Sequence, residues 1–430
     1  MPHRPPQRAR RGAVWAAVAW LTVGLLAGVL SACVPLPVGG GATITPIRPT
    51  PAPIGTVPTP RVLPTLAPGA PTPPITPPGP APLPTLPASS VPLPPGMGYD
   101  AGTWAVLFTS GATGDPANGQ FLIDRLIDYI DAAETSIDVA VFETNLTPVA
   151  EALIRAHERG VAVRWITDDE NGIDADGEEG RGQFLLMEEA GIPIRDDLRS
   201  AFMHNKFIII DGRILWTGSM NLTSNDVFRN NNNVTVLESP VAAAIFTREF
   251  EEMWTGEFGP RSPSTVDDQM VDIGADRPVS VRFAPEDEPL ANLMLLTGLA
   301  EKSIHFMAFS FTHDALGETM RERLAAGVEV QGIFETRGSE TQYSEMPPLY
   351  CAGAAVRQDG NPGTFHHKVV IIDEYVVVTG SMNFSDNAAD SNDENVFAIA
   401  DPRIARLYLE EFDRRWAEAR DPDPAEMGCE

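Results

Sequence analysis

The chain predicts an α/β protein built from two similar α/β/α lobes, each with a mixed, largely parallel sheet, related by a pseudo-two-fold axis with a site between them. Three observations carry this expectation. The stretch "HNKFIIIDGRILWTGSMN", His204 to Asn221, returns as "HHKVVIIDEYVVVTGSMN", His366 to Asn383. The likeness extends outward: Ser136/Ser303 to Gly160/Gly327 lie 167 positions apart, and Gly191/Gly353 to Trp254/Trp416 lie 162 apart, so the second copy lacks five residues of one loop. The hydrophobic pattern also switches between helical and strand periods in the same order in both copies. A unit of about 150 residues can bury its own core, so two copies read as an internal pseudo-dimer, monomeric as a chain, rather than as a solenoid.

The N-terminus comes first. Arg4, Arg8, Arg10 and Arg11 precede an apolar run from Ala13 to Leu30, the order of charges and apolar residues in a secretory signal. An uncleaved membrane anchor is the alternative, because eighteen or so apolar residues just span a bilayer. The run ends in Leu30-Ser31-Ala32-Cys33, which resembles the lipobox of bacterial lipoproteins. That resemblance implies cleavage before Cys33, lipidation of its sulfur, and a protein held on the outer side of the cytoplasmic membrane or beyond. Residues 1–33 are therefore read as a signal segment. Residues 34–97 follow as a proline-rich tether, holding more than half of the 40 prolines and no Asp or Glu. Proline removes backbone donors and favours extended polyproline geometry, so this segment builds no packed core and reaches on the order of 200 Å at about 3.1 Å per residue.

The first repeat is expected over 98–257. Ile123, Leu126, Ile127 and Ile130 recur at helical spacing, and "SIDVAVF" then reads as a buried strand. A second helix through Leu153 ends near Gly160, and "VAVRWIT" is the next strand. This β-α-β order implies parallel pairing covered on both faces. "KFIIID" and "ILWTG" form adjoining strands joined by a tight turn at Asp211-Gly212, and Pro240 to Trp254 closes the repeat as a helix. A linker at 258–278, the second repeat at 279–420 and a tail at 421–430 complete the chain. Cys351 and Cys429 form an even pair in an exported protein, where a disulfide is permitted; two unpaired buried thiols are the alternative.

Of 31 Lys and Arg, six precede Asp100, which leaves 25 against all 59 Asp and Glu in the globular part, a formal charge of −34. Such an acidic body disfavours a broad nucleic-acid surface.

His-x-Lys on a strand puts both side chains on one face. Neither copy offers further ligands at metal spacing on that face, so no metal and no cofactor are expected. His367 falls on the opposite face. Brought together, two imidazoles, two ammonium groups and two Asn amides suit a phosphodiester. The cations and amides hold the non-bridging oxygens, one His attacks phosphorus and the other protonates the leaving oxygen.

The pattern H-x-K-x₄-D-x₆-G-S-x-N, present twice, resembles the HKD signature of the phospholipase D superfamily, and the similarity covers roughly Tyr99 to Trp416. The resemblance implies catalysis through a phosphohistidine at a site between the lobes. By the same resemblance His204, Lys206, His366 and Lys368 are catalytic, and Asn221, Asn383, Ser219 and Ser381 line the phosphate site with the lysines. Asp211 and Asp373 belong to the catalytic motif as helpers of the fold near the site. Family members commonly hold each imidazole with an acidic residue of the other half. Here Glu394 stands 28 after His366, whereas neutral Asn232 stands 28 after His204. Glu394 is thus expected on His204, making His204 the nucleophile and His366 the acid; in the alternative, Asp226 or Asp386 serves instead. The expected function is metal-independent phosphodiester hydrolysis or transfer on a phospholipid head group. A secreted nuclease and a non-catalytic lipid- or polymer-binding protein are the other readings.

Overall fold

The computed structural model of the chain describes residues 93–264, 271–272 and 278–429. The signal segment with Cys33 and the tether up to residue 92 lie outside the described residues.

The first lobe runs β1 (Gly98–Asp100), β2 (Trp104–Phe108), α1 (Pro116–Asp131), β3 (Ser136–Val141), α2 (Thr147–Glu158), β4 (Ala162–Thr167), α3 (Gln183–Glu189), β5 (Ile194–Asp196), β6 (Lys206–Ile210), β7 (Ile214–Gly218), α4 (Ser224–Phe228), β8 (Asn233–Glu238) and α5 (Pro240–Thr255). The second repeats it: β9 (Val271–Asp272), β10 (Pro278–Ala284), α6 (Pro289–Gly298), β11 (Ser303–Ala308), α7 (Asp314–Ala325), β12 (Glu329–Phe334), α8 (Met346–Cys351), β13 (Ala355–Gln358), β14 (Lys368–Ile372), β15 (Val376–Gly380), α9 (Asp386–Asp390), β16 (Glu394–Ala400) and α10 (Pro402–Glu418). The sheet orders are β1-β2-β8-β7-β6-β3-β4-β5 and, read from the other edge, β9-β10-β16-β15-β14-β11-β12-β13.

Two α/β lobes with mixed sheets are what the periodicity predicts, but the sheets are less parallel than expected. Among the described strands only β3-β4-β5 and β11-β12-β13 pair in parallel; their remaining strand pairings are antiparallel. The reason is the hairpin: β6 and β7 are joined through a short turn, which forces them antiparallel, and β6 then inserts antiparallel beside β3. Two boundaries also move. Met97, assigned to the tether, is fully buried against the first lobe, and Val271–Asp272, assigned to the linker, pairs with β10 as an edge strand.

The strands are buried on both faces, as a covered sheet requires. Phe207 and Ile209 enter one core while Ile208 and Ile210 enter another, the period-two alternation of a strand. The core holding Phe207 also takes Val369, Ile371 and Phe397 of the second lobe, with Phe246 and Phe250 of α5 and Tyr408 and Phe412 of α10. A single apolar cluster therefore joins the lobes, and the site sits at the edge of that junction. The tail is tied down: Met427 is buried, and Cys351 is disulfide-bonded to Cys429, with Cα atoms 5.3 Å apart.

Candidate active site

Each His-x-Lys begins a central strand at the lobe interface, and backbone pairing across the interface fixes its position. The His204 N–H donates to the Asp393 carbonyl at 2.9 Å, and the His366 N–H donates to the Asn231 carbonyl at 2.9 Å. Two further exchanges obey the same symmetry: Asn395 Nδ2 donates to Thr217 Oγ1 at 2.9 Å and Asn233 Nδ2 to Thr379 Oγ1 at 3.0 Å. These four bonds relate the halves by the spacing of 162 seen in the sequence.

Both imidazoles are almost fully buried. His204 Nδ1 lies 2.8 Å from Glu394 Oε2, a carboxylate of the opposite lobe that also accepts from Ser381 Oγ at 2.6 Å. His366 Nδ1 lies 3.0 Å from Asn232 Oδ1, which accepts from Ser219 Oγ at 2.8 Å. Ser219 and Ser381 thus fix the groups that fix the histidines. In each case Nδ1 carries the hydrogen toward its oxygen partner, which leaves the Nε2 lone pair for chemistry.

The expectation that only His204 receives a carboxylate needs correcting. Asp226 Oδ1 stands 3.3 Å from His366 Nδ1 and also accepts from Asn232 Nδ2 at 3.0 Å. Asp226 reaches His366 because α4, capped by Thr223, turns its first-turn carboxylate inward. Position 388, its equivalent in the second lobe, is Ala388. Each lobe therefore supplies one carboxylate to the opposite histidine, from different positions. Asp386 is exposed, 3.6 Å from His313, and takes no part.

A second correction concerns Asp211 and Asp373, which are not at the site. They sit at the far end of β6 and β14 from the lysines, about 16 Å of strand away. Asp211 accepts from the backbone N–H groups of Glu134, Thr135 and Ser136, and Asp373 from those of Glu301, Lys302 and Ser303. Their work is to pin each hairpin turn to the start of β3 or β11. At the turns Asp211 and Gly212 have φ of 53° and 60°, and Asp373 and Glu374 have φ of 53° and 56°.

Lys206 Nζ donates to the His204 carbonyl at 2.8 Å, and Lys368 Nζ to the His366 carbonyl at 2.9 Å. Both ammonium groups are buried. Burial lowers the Lys206 pKa to about 8 despite the opposing charges of Glu394 and Asp226, while burial and the Lys206 charge hold Lys368 well below the ordinary range. Burial and Lys368 push His366 down to about 3, against the pull of Asp226. His204 is also lowered, by burial and the two lysines, with Glu394 opposing. Burial thus favours the neutral form of both imidazoles, the form a nucleophile needs.

Two aromatics escaped the sequence reading. The Phe142 ring centre lies 5.0 Å from that of His204 in an edge-on arrangement and 5.2 Å from Lys206 Nζ; Phe309 does the same for His366 and Lys368, at 5.0 and 4.8 Å. Their signal was a Phe repeated at the 167 spacing directly after the strands "SIDVAV" and "SIHFMA".

His366, Asn221, Asp226, Thr364 and Phe309 line a cleft of about 300 Å³, flanked by an ion pair of Arg181 with Glu143 at 2.6 Å. Asn221 and Asn383 each leave Oδ1 without a hydrogen-bond partner among the described residues. Phe309 and Thr364 also border a more apolar groove of about 520 Å³ lined by Phe311 and Phe334. His367 faces away, buried between Asn233 Oδ1 at 3.2 Å and Glu411 Oε1 at 3.4 Å.

Two His-Lys-Asn sets, one from each lobe, meet at the lobe junction, and the comparisons show which family carries this arrangement. Residues 126–254 and 296–416 match the family described as "Cardiolipin synthase, PLD-like domain", and the chain belongs to this phospholipase D-like family. It is 37% identical over 136 residues to the mitochondrial cardiolipin hydrolase of Chlamydomonas reinhardtii, covering 31% of this chain and 57% of that protein. It is 34% identical over 118 residues to a phospholipase D of Rickettsia conorii, covering 27% and 59%. The match thus spans somewhat over half the length of these relatives. The phosphatidylserine synthase of Haemophilus influenzae Rd KW20 shares the fold, with a TM-score of 0.56 at 14% identity over 75% of this chain and 88% of that one.

Proposed function

We propose that the protein is an exported, lipid-anchored phosphodiesterase that hydrolyses or transfers phospholipid head groups through a phosphohistidine, with no metal in the chemistry. The observation that carries this reading is the bond from His204 Nδ1 to Glu394, 2.8 Å across the lobe interface. It orients a neutral imidazole and stabilises the charge that the ring acquires on attack. His204 Nε2 forms the bond to phosphorus as the bond to the leaving oxygen breaks, and His366 gives that oxygen its proton. Low in the free protein, the proton affinity of His366 rises when the anionic phosphodiester enters beside it. Water then attacks the phosphohistidine, giving its proton to His366 as the phosphorus–nitrogen bond breaks. Lys206, Lys368, Asn221 and Asn383 hold the non-bridging oxygens throughout.

Three things support a phospholipid substrate. The relatives carry the names cardiolipin hydrolase and phospholipase D. A globular charge of −34 repels a polyanion but hardly affects one phosphodiester held by two lysines. The apolar groove beside Phe309 suits the hydrocarbon end of a lipid. The lipobox at Cys33 supports anchoring, and Cys33→Ser should move the protein out of the membrane fraction. The test is a substrate panel at matched phosphate concentration and moderate salt, with EDTA present. Zwitterionic phospholipid vesicles should be hydrolysed faster than single-stranded DNA, at a rate EDTA leaves intact at 25 °C. Faster cleavage of DNA across the salt range would make the protein a nuclease.

A further inference from the structure

The two lobes differ at one buried glutamate. Glu249 on α5 and Glu411 on α10 are 162 positions apart and equally deep, with exposures of 2% and 0%. Glu411 is neutralised within its own lobe: Arg414 reaches it at 2.6 Å, Arg415 at 3.1 Å and His367 Nε2 at 3.4 Å. Shifted back by 162, those three positions hold Glu252, Met253 and Asn205. Every source of positive charge around the second-lobe glutamate is missing around the first, and one has become another carboxylate.

A third carboxylate arrives from the other lobe. Glu286, in the turn between β10 and α6, brings an oxygen so close that one oxygen each of Glu249, Glu252 and Glu286 lie within 4.8 Å of one another. Among the described residues, Glu249 Oε2, Glu286 Oε2 and both Glu252 oxygens have no hydrogen-bond partner, and neither has Asn205 Oδ1. A buried carboxylate oxygen without a donor is strongly disfavoured unless a cation or a proton sits on it. Burial and the neighbouring acids, Asp287 and Asp393 among them, drive Glu249 well above the ordinary carboxylate range and Glu286 to about 8. Burial and the charges of Glu257, Asp393 and Asp287 bring Glu252 to about 7.

We propose that Glu249, Glu252 and Glu286 bind one hard divalent cation, calcium foremost, which takes the place of the arginines that serve Glu411 and ties α5 of the first lobe to the β10–α6 turn of the second. An all-oxygen donor set with spare carboxylate oxygens suits the high coordination number of calcium, and no nitrogen or sulfur ligand is present to favour zinc. Asp393 links the site to the catalytic side, since its carbonyl accepts from the His204 N–H. The cation is structural and stands apart from the phosphate-binding groups, so the inference is independent of the substrate.

The test uses the full-length protein in detergent, stripped of metal, with calcium, magnesium and manganese chloride added separately. Calorimetric titration should show one calcium ion bound per chain at this cluster, and calcium at a hundred times its Kd should raise Tm by about 5 °C. Glu249→Gln and Glu252→Gln should each weaken binding at least tenfold while leaving the metal-free Tm equal to or above that of the parent, because an anion has been removed. Glu286→Gln, in a partly exposed turn, serves if either helix variant fails to fold. Absence of both heat and Tm shift with all three metals at about 10 mM would show that protons, not a cation, hold the cluster. Calcium binding unaffected by all three substitutions but lost in Asp197→Asn would place the ion at the other acidic group, Asp168, Asp169 and Asp197, and would equally overturn the proposal.

Discussion

Replacing Glu394 by Gln removes one charge from a fully buried position while keeping its size. What is lost is the charge of a 2.8 Å contact with His204 Nδ1: a Gln oxygen can still accept the bond but leaves no anion facing the ring, and no solvent supplies one. A hydrogen bond to a charged group contributes about 1.5–3 kcal/mol. The full contribution appears in the attack step, because the ring becomes cationic there and only there. At about 1.4 kcal/mol per factor of ten, phosphohistidine formation should slow by roughly 10- to 150-fold. Asp226→Asn should cost less, since Asn232 Oδ1 at 3.0 Å still holds His366 when the carboxylate at 3.3 Å is gone. A phosphodiester with an activated leaving group isolates the step, because its departure needs no acid. Single-turnover release of that group, with acid-quenched protein analysed by mass spectrometry for the adduct on His204, gives the rate. The acid limb of the pH profile should also move lower in Glu394→Gln, since the carboxylate raises the His204 pKa and its loss lets the ring stay neutral to lower pH. A rate within threefold of the parent, or a larger loss in Asp226→Asn, would refute this division of labour; an adduct on His366 would reverse it.

The Lys206 ammonium, lowered to about 8, is lost as pH rises through that value, so kcat/KM should fall above about pH 8, and Lys206→Arg should carry the alkaline limb upward if the protein folds. Asp211→Ala should leave kcat unchanged per folded molecule and lower stability by about 2–3 kcal/mol in urea melts, because its carboxylate serves backbone N–H groups and not substrate. Burial acts to raise the Asp211 pKa, but those N–H groups bring it below the ordinary range. Its contribution is therefore present above the unfolded value near 3.8 and is lost as pH falls through the lower folded value. Glu374 at φ 56° adopts a conformation that disfavours L side chains, so Glu374→Gly should stabilise by about 1 kcal/mol, and a lower urea midpoint would contradict this.

Residue order along the chain was enough for whatever depends on local spacing. Repetition at 162 established two lobes, period-two alternation established buried strands, and the two-residue step from His to Lys put imidazole and ammonium on one face. Even Glu394 was legible, because a family pattern and an offset of 28 pointed to it. Three things waited for tertiary structure. Antiparallel insertion of β6 beside β3 depends on which strands meet, which hydrophobic period does not encode. Asp226, one of the two alternative carboxylates the sequence offered, reaches His366 from the opposite lobe while its repeat equivalent is Ala388, so choosing it over Asp386 and adding it to Glu394 needed the packing. The glutamate cluster combines two residues on one helix turn with a third from the other lobe, and its exposed-looking acids become meaningful only once packing removes water from them. Spacing along a chain reports which groups share a face; only packing reports which faces meet, and burial then decides what charge those groups can carry.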